Sequence, residues 1–288
     1  MYPSPFEYHR AASVQDAVAL LGKYGDAAKV IAGGHSLLPL MKLRLAQPRH
    51  LIDVRRISGL NGIHEDRGAM VIGAATPHAS LEASALLRQR LPIVSEAAAL
   101  IGDAQVRNMG TIGGSLAHAD PAADLPAVVL ALGAEVVVLG PRGTRTVPAD
   151  DFFVDLMTTA LGPGELITEI RLPFPPAGSG AAYEKYPHPA SRYAVAGSAA
   201  LLTLSGGKVT AARVAVTGLG KKASRAKAVE AALLGKPGDA ASLAAAAEKA
   251  TDGLALRSDA QLPEPYRRSL AVTYTRRALL AAAKRATG

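Results

Sequence analysis

Apolar positions along the chain fall into short strand-length runs and longer helical-spaced stretches that alternate from end to end, which predicts mixed α and β structure throughout. Val14, Val18, Leu20 and Leu21 form one face of a first helix. Ser13 stands at its cap, Asp16 follows three residues on, and Gly25 after Tyr24 is its stop. Lys29 to Ala32 reads as a short buried strand. Leu37, Leu40, Met41 and Leu45 recur at helical spacing, and His50 to Val54 is a second strand. Together these make a small α/β unit over residues 1–57.

A larger α+β segment is expected over residues 58–175. Met70 to Ala74 is strand-like, Thr76-Pro77 begins a helix, and Leu91 to Ile101 is a mostly apolar helix. Pro126 to Leu132 continues as a short helix. Ala134 to Leu139 is a strand turned by Pro141-Arg142-Gly143 into Thr144 to Val147, and Leu166 to Leu172 is another. Pro173 to Gly180, rich in Pro and Gly, reads as a linker. The third unit, residues 176–288, carries strands Ser198 to Leu204 and Val209 to Val216 joined by Gly206-Gly207. Helices follow at about 224–234, 241–250 and 265–285.

Composition narrows the chemistry. The chain has no Cys, which excludes disulfides, thiolate nucleophiles, thiolate zinc sites and any cysteine-ligated iron–sulfur cluster held by this chain alone. No apolar run approaches the ~18 residues of a membrane span, and residues 1–6 have no signal-peptide pattern, so a cytoplasmic location is expected. The net charge of +8 invites a nucleic-acid reading. The basic residues are scattered, however, and aromatics make up only 4% of the chain, so base stacking has little support. Arg267-Arg268, Arg276-Arg277 and Lys284-Arg285 instead suggest a solvated or protein-docking helix face. The seven His show no H-x-x-x-H pair, and neither a G-x-S-x-G elbow, a phosphate-loop motif nor a Rossmann fingerprint occurs. No catalytic residue and no metal ligand is expected.

Two glycine-bearing stretches remain. The first is Ala32-Gly33-Gly34-His35-Ser36-Leu37; the second runs from Gln105 through Arg107, Gly110, Thr111, Gly113 and Gly114 to Ser115. Paired glycines beside hydroxyl residues let a backbone approach a ligand and turn several N–H groups toward one anion. A helix starting just after Gly34 would add its own N-terminal amides. Two such loops fit a dinucleotide held by its diphosphate without a Rossmann turn. A self-contained FAD oxidase, with His35 covalently joined to the flavin, and a colourless basic binding module are the other readings.

Both stretches, with Met41 to Arg44, Pro48 to Val54, Thr146 to Asp150 and Tyr183 to Lys185, resemble the FAD-binding (medium) subunits of the molybdenum hydroxylases, nearest their carbon monoxide dehydrogenase branch. The resemblance implies a two-subdomain FAD-binding fold of the vanillyl-alcohol-oxidase/PCMH type plus a C-terminal α+β domain, with one non-covalent FAD. It implies FAD contacts at Ala32, Gly33, Gly34, His35, Ser36 and Leu37, and at Thr111, Gly114 and Ser115, mostly through main-chain N–H groups. Ile101, Asp124, Ile167 and Lys185 carry over as further ligands, and Tyr193 takes the place of an aromatic that shields the isoalloxazine ring. Asp124 is expected to accept a hydrogen bond from the nucleotide's sugar or from a loop N–H. Ser115 departs from the Asn or Asp common in the family.

The family also implies partners: a molybdopterin large subunit and a small subunit with [2Fe-2S] clusters, in a dimer of heterotrimers. Electrons would pass from the clusters to FAD and on to a terminal acceptor, with room for peripheral association with a membrane electron acceptor. The flavin edge should open where the third domain meets the first two, under a partner subunit, with arginines of the last helix on the rim.

Overall fold

The computed structural model describes residues 2–258 and 262–287. It is α+β, built on three main sheets. The first contains β1 (Glu7–Arg10), β2 (Ala28–Ile31) and β3 (His50–Asp53), with helices α1 (Val14–Tyr24) and α2 (Leu37–Lys42) between them. All pairs are parallel, in the order β1-β3-β2, so each connection crosses over and β3 is central. The capping of α1 is reciprocal: Ser13 Oγ accepts from Asp16 N at 3.0 Å, and Asp16 Oδ2 accepts from Ala12 N at 2.9 Å. Gly25, at φ 50°, stops the helix. α2 is shorter than the spacing of Leu37 to Leu45 predicts, because Leu43 caps it and Arg44 turns left-handed at φ 62°.

The second sheet opens with β4 (Ile63–Asp66) and β5 (Ala69–Gly73). Seven helices lie within this unit: α3 (His78–Ala83), α4 (Ala85–Arg90), α5 (Pro92–Ala99), α6 (Ala104–Met109), α7 (Ile112–His118), α8 (Asp124–Leu132) and, after two strands, α9 (Ala149–Phe152). Those strands are β6 (Glu135–Gly140) and β7 (Gly143–Pro148). A small hairpin, β8 (Phe153–Asp155) with β9 (Thr158–Thr159), precedes β10 (Leu166–Pro173). The sheet is antiparallel in the order β4-β5-β10-β6-β7, which gives β10 the centre. Every residue of α8 is buried, packed in the largest hydrophobic core with Met70, Ile72, Val136, Phe152 and Ile170.

The third sheet is antiparallel in the order β11 (Ser179–Pro187), β12 (Ala194–Ser205), β13 (Lys208–Thr217) and β14 (Ser224–Arg225). β12 and β13 meet at Gly206-Gly207, both at positive φ, as a two-residue hairpin requires. Helices α10 (Lys227–Leu233), α11 (Ala240–Ala247) and α12 (Glu264–Ala286) cover it and enclose a second core of Ala, Val and Leu. The end of the Pro-rich segment is not a connector, since Ser179 and Gly180 already pair with β12. Gly180 is where α12 rests on the sheet: a Cβ there would overlap Ala282 O and Ala286 N and lie 2.8 Å from Arg285 C. Among the described residues no helix is long and apolar enough to cross a membrane.

Gly180→Ala should therefore push α12 off β11. We expect a destabilisation of roughly 1–3 kcal/mol, the range of an overpacked core, measured as a lower denaturant midpoint. The reference is Gly206→Ala, where a Cβ meets nothing within 4 Å and only the positive φ of 57° opposes it.

Candidate functional site

The first glycine stretch leaves β2 at Ile31 and turns sharply into α2. Gly34 is buried at φ 74°, a conformation that suits glycine, and its carbonyl accepts from Leu38 N at 2.9 Å. Gly33 is needed for a different reason. A Cβ there would overlap Met109 O and sit 2.8 Å from Gly110 Cα, so the two stretches meet backbone to backbone. His35 Nε2 lies 3.2 Å from Gln105 O and ties the same two stretches. Among the described residues, the amides of Gly33, Gly34, His35, Ser36 and Leu37 donate to no protein acceptor. They form a local concentration of unpaired donors, the arrangement that binds an anion.

The second stretch is not the open loop its glycines suggest. It is two short helices, α6 and α7, with Gly110 between them. Asp103 caps α6 by accepting from Val106 N at 2.8 Å, and Thr111 Oγ1 caps α7 by accepting from Gly114 N at 3.1 Å. The amides of α7 are already engaged: Ile112 N donates to Thr76 O at 3.1 Å, Gly113 N to Ala74 O at 2.8 Å and Ser115 N to Thr111 O at 2.9 Å. The expectation of main-chain donors is narrowed accordingly: of Thr111 to Ser115, only the Thr111 amide donates to no protein acceptor among the described residues. Its contribution is shape. Gly113 lets α7 approach Ala74, 2.6 Å from where its Cβ would be, while a Cβ at Gly114 would meet only Thr111 Oγ1. The exposed face of Gly114 is thus an open cradle.

A cavity of about 800 Å³ lies between the two stretches, large enough for a dinucleotide-sized ligand. Thirteen of the fourteen expected residues line it: Ala32 to Leu37, Ile101, Thr111, Gly114, Ser115, Asp124, Ile167 and Tyr193. Ile101 closes the turn after α5, its carbonyl accepting from Arg107 Nη1 at 3.0 Å. Ile167 is on the central strand β10, beside a bulge in its pairing with β6. Tyr193 projects from the loop between β11 and β12 and is 43% exposed. Burial raises its phenol pKa, with Asp120 and Asp124 adding to the rise. The phenol therefore stays neutral at physiological pH.

Lys185 is the residue that does not reach the cavity wall. It stands behind Asp124, its Nζ 3.0 Å from the carboxylate and 2.8 Å from Arg192 O. Tyr183 Oη donates to Asp124 Oδ1 at 2.5 Å. Asp124 begins α8, where the helix dipole favours a negative charge, and its partners are these two side chains rather than a loop N–H. Burial pushes the Asp124 pKa up and the Lys185 pKa down, and their mutual attraction opposes both shifts. Through Arg192 O, Lys185 also fixes the loop that carries Tyr193.

His78, on the cavity wall, escapes a reading of the sequence. Its backbone N donates to Gly110 O at 2.8 Å and its ring is the surface on which Gly110 packs. Burial, with a smaller contribution from His35, lowers its pKa to about 4, so it is neutral at physiological pH. Only its place after Thr76-Pro77 hinted at a structured position. Among the described residues no nucleophile–base pair faces the cavity; its chemistry is that of holding a large anionic ligand.

Residues 4–175 match the family described as FAD binding domain in molybdopterin dehydrogenase, and residues 181–282 match the CO dehydrogenase flavoprotein C-terminal domain. The carbon monoxide dehydrogenase medium chain of Afipia carboxidovorans is 44% identical over 99% of both chains. The 6-hydroxypseudooxynicotine dehydrogenase complex subunit alpha of Paenarthrobacter nicotinovorans is 42% identical over 99% of this chain and 97% of its own. In a solved structure of carbon monoxide dehydrogenase from Hydrogenophaga pseudoflava, which lacks the Mo-pyranopterin moiety of the molybdenum cofactor, one chain superposes with a TM-score of 0.96. It is 48% identical, and 99% of each chain is covered. The chain belongs to the family of FAD-binding medium subunits of molybdenum-containing hydroxylases.

Proposed function

We propose that the chain is the FAD-carrying, electron-transfer subunit of a carbon monoxide dehydrogenase. It takes electrons from [2Fe-2S] clusters on a small partner subunit and passes them to a terminal acceptor, while a molybdopterin large subunit oxidises the substrate. The observation that carries this reading is the open cradle at Gly114 opposite the unpaired amides of residues 33–37, on a chain so close to medium subunits. The residues present fit FAD. The amides suit a diphosphate, the hydroxyls of Ser36, Thr111 and Ser115 suit its polar flank, and Ile101, Ile167 and Tyr193 suit the rings. When bound, the flavin supplies reversible one- and two-electron chemistry. The chain's own residues bind and orient it and keep water from its protected face.

Absence of Cys places the clusters on the partner. His35, engaged with Gln105 O, supports a non-covalent flavin over the covalent alternative. The assembly is a dimer of heterotrimers in the cytoplasm, with the terminal acceptor reached at a membrane surface. The flavoprotein divides near residues 57 and 175 into two FAD-binding subdomains and a C-terminal domain, and Lys185 acts on the flavin nucleotide through Asp124.

Gly114→Val tests the cradle. A Cβ there meets only Thr111 Oγ1, a side-chain atom 2.8 Å away that can give, so the variant should fold and assemble with its partners. Its FAD affinity should fall at least about tenfold, equivalent to ~1.4 kcal/mol, measured as flavin content and dissociation constant of the purified complex. Full FAD occupancy would sink the placement of the diphosphate.

Lys185→Met tests the buried pair. Leaving Asp124 charged with the Tyr183 hydroxyl but no cation should destabilise the fold by about 3–5 kcal/mol at neutral pH. The variant removes the attraction that opposes burial, so the Asp124 pKa rises further. An acid with a raised folded pKa stabilises below its unfolded value and loses that contribution as pH rises. The defect should therefore be smaller in mild acid than at neutral pH. It should also be partly repaired by Asp124→Asn in the same chain, both read from denaturant titrations.

A further inference from the structure

Outside the flavin cavity, the register of the first sheet gathers three metal-ligating side chains that lie far apart in sequence. β1 runs parallel to β3 with Glu7 opposite His50, and His9, two residues on, emerges on the same face as Glu7. His9 Nε2 lies 3.1 Å from His50 Nδ1, and one carboxylate oxygen, Glu7 Oε2, is 3.4 Å from His50 Nδ1 and 3.7 Å from His9 Nε2. Metal–ligand bonds of 2.0–2.2 Å in a tetrahedral site place neighbouring ligand atoms about 3.3 Å apart. The three atoms thus already form one face of such a tetrahedron.

The imidazoles are held in place. The Tyr24 ring stacks on His50 with centroids 3.8 Å apart and on His9 at 4.9 Å. Both imidazoles are largely buried, with 21% and 17% of their side-chain surface exposed, while Glu7 at 70% leaves a side open to solvent. None of the four lines the flavin cavity. Lys23 Nζ, 4.9 Å from the Tyr24 centroid, is a nearby positive charge that acts against a cation.

The geometry points to Glu7, His9 and His50 as a binding site for one divalent transition-metal ion of the zinc type, with solvent as the fourth ligand. Two imidazoles and a carboxylate are a donor set that zinc accepts, whereas calcium and magnesium prefer oxygen. One neutral imidazole donates to the other here; an ion would take both facing nitrogens, and the donor ring would then carry its proton on its other nitrogen. An ion here would clip β1 to β3.

The test is calorimetric titration of the full-length, untagged chain with zinc chloride after chelator treatment. The expected result is saturable binding of one equivalent and a rise in thermal midpoint, with X-ray absorption giving imidazole nitrogen in the zinc shell. His9→Gln and His50→Gln should each weaken binding at least about tenfold, ~1.4 kcal/mol. So should Glu7→Gln, whose side chain is 70% exposed and whose replacement leaves the fold intact. His64→Gln, on exposed β4, should leave binding unchanged. Absence of saturable binding to the unaltered chain would overturn the assignment. So would binding as tight as the unaltered chain's in the Glu7→Gln, His9→Gln and His50→Gln variants, or a loss only with His64→Gln.

Discussion

The structure depends on one close contact, the approach of Gly33 to the carbonyl of Met109 and to Gly110. No side chain on residue 33 fits between these backbones, so the first sheet can sit against the second unit only where glycine occupies that position. His35 Nε2 with Gln105 O crosses the junction, while His78 N to Gly110 O and Ile112 N to Thr76 O brace the second stretch within its own unit. The result is a division of labour between two stretches that look alike in sequence. One keeps its amides free and supplies donors. The other engages the amides of Ile112 to Ser115 in the fold and supplies, at Gly114, a surface without a side chain. A buried amide without an acceptor is costly, so the free set belongs where a ligand or water can reach it.

The third unit closes the same site from behind, through polar contacts as much as apolar ones. Thr217 Oγ1 lies 2.9 Å from Pro121 O and 2.7 Å from Ala123 O, and Gly218 N donates to Pro121 O at 2.7 Å. These fix the segment that delivers Asp124. Asp124 is then paired with Tyr183 and Lys185, both on β11, and Lys185 holds Arg192 O. A buried ion pair gives little net stability. Its use here is positional, since it links the start of α8, the edge strand β11 and the loop bearing Tyr193.

What was legible in the sequence had local causes. The cap of α1, the Gly206-Gly207 hairpin and the strands β5, β6 and β10 follow from residues within a few positions of one another. Both glycine stretches were visible as chemistry, and thirteen of the expected residues line one cavity. The misreadings have non-local causes. Gly113 reads as a loop residue, but its amide finds a carbonyl on β5's far end, at Ala74, and helix α7 forms around that bond. β1 and β4 have too few apolar residues to signal strands and exist because β3 and β5 offer free edges. His78 and the Glu7–His9–His50 group carry no local pattern; only tertiary register brings them into place.

The basic excess is legible only in part: Arg268, Arg276, Arg277, Lys284 and Arg285 of α12 are exposed, as a solvated helix face requires. Arg267, expected on a solvent-facing rim, is buried and donates to Gly218 O at 3.1 Å. Arg285 reaches from α12 to Glu96 on α5, with both nitrogen–oxygen distances 2.9 Å. Arg213 and Arg225, on the third sheet, converge on Asp150 of the second unit, and Arg213 also donates to Leu130 O at the end of α8. Arginine suits this work because its planar fork satisfies a carbonyl and a carboxylate together while its stem packs on apolar surface. Arg213, Arg225 and Arg285 therefore cement the last unit to the second. Net charge cannot reveal this, because it counts a cation the same whether its partner is solvent, another subunit or the helix beneath it.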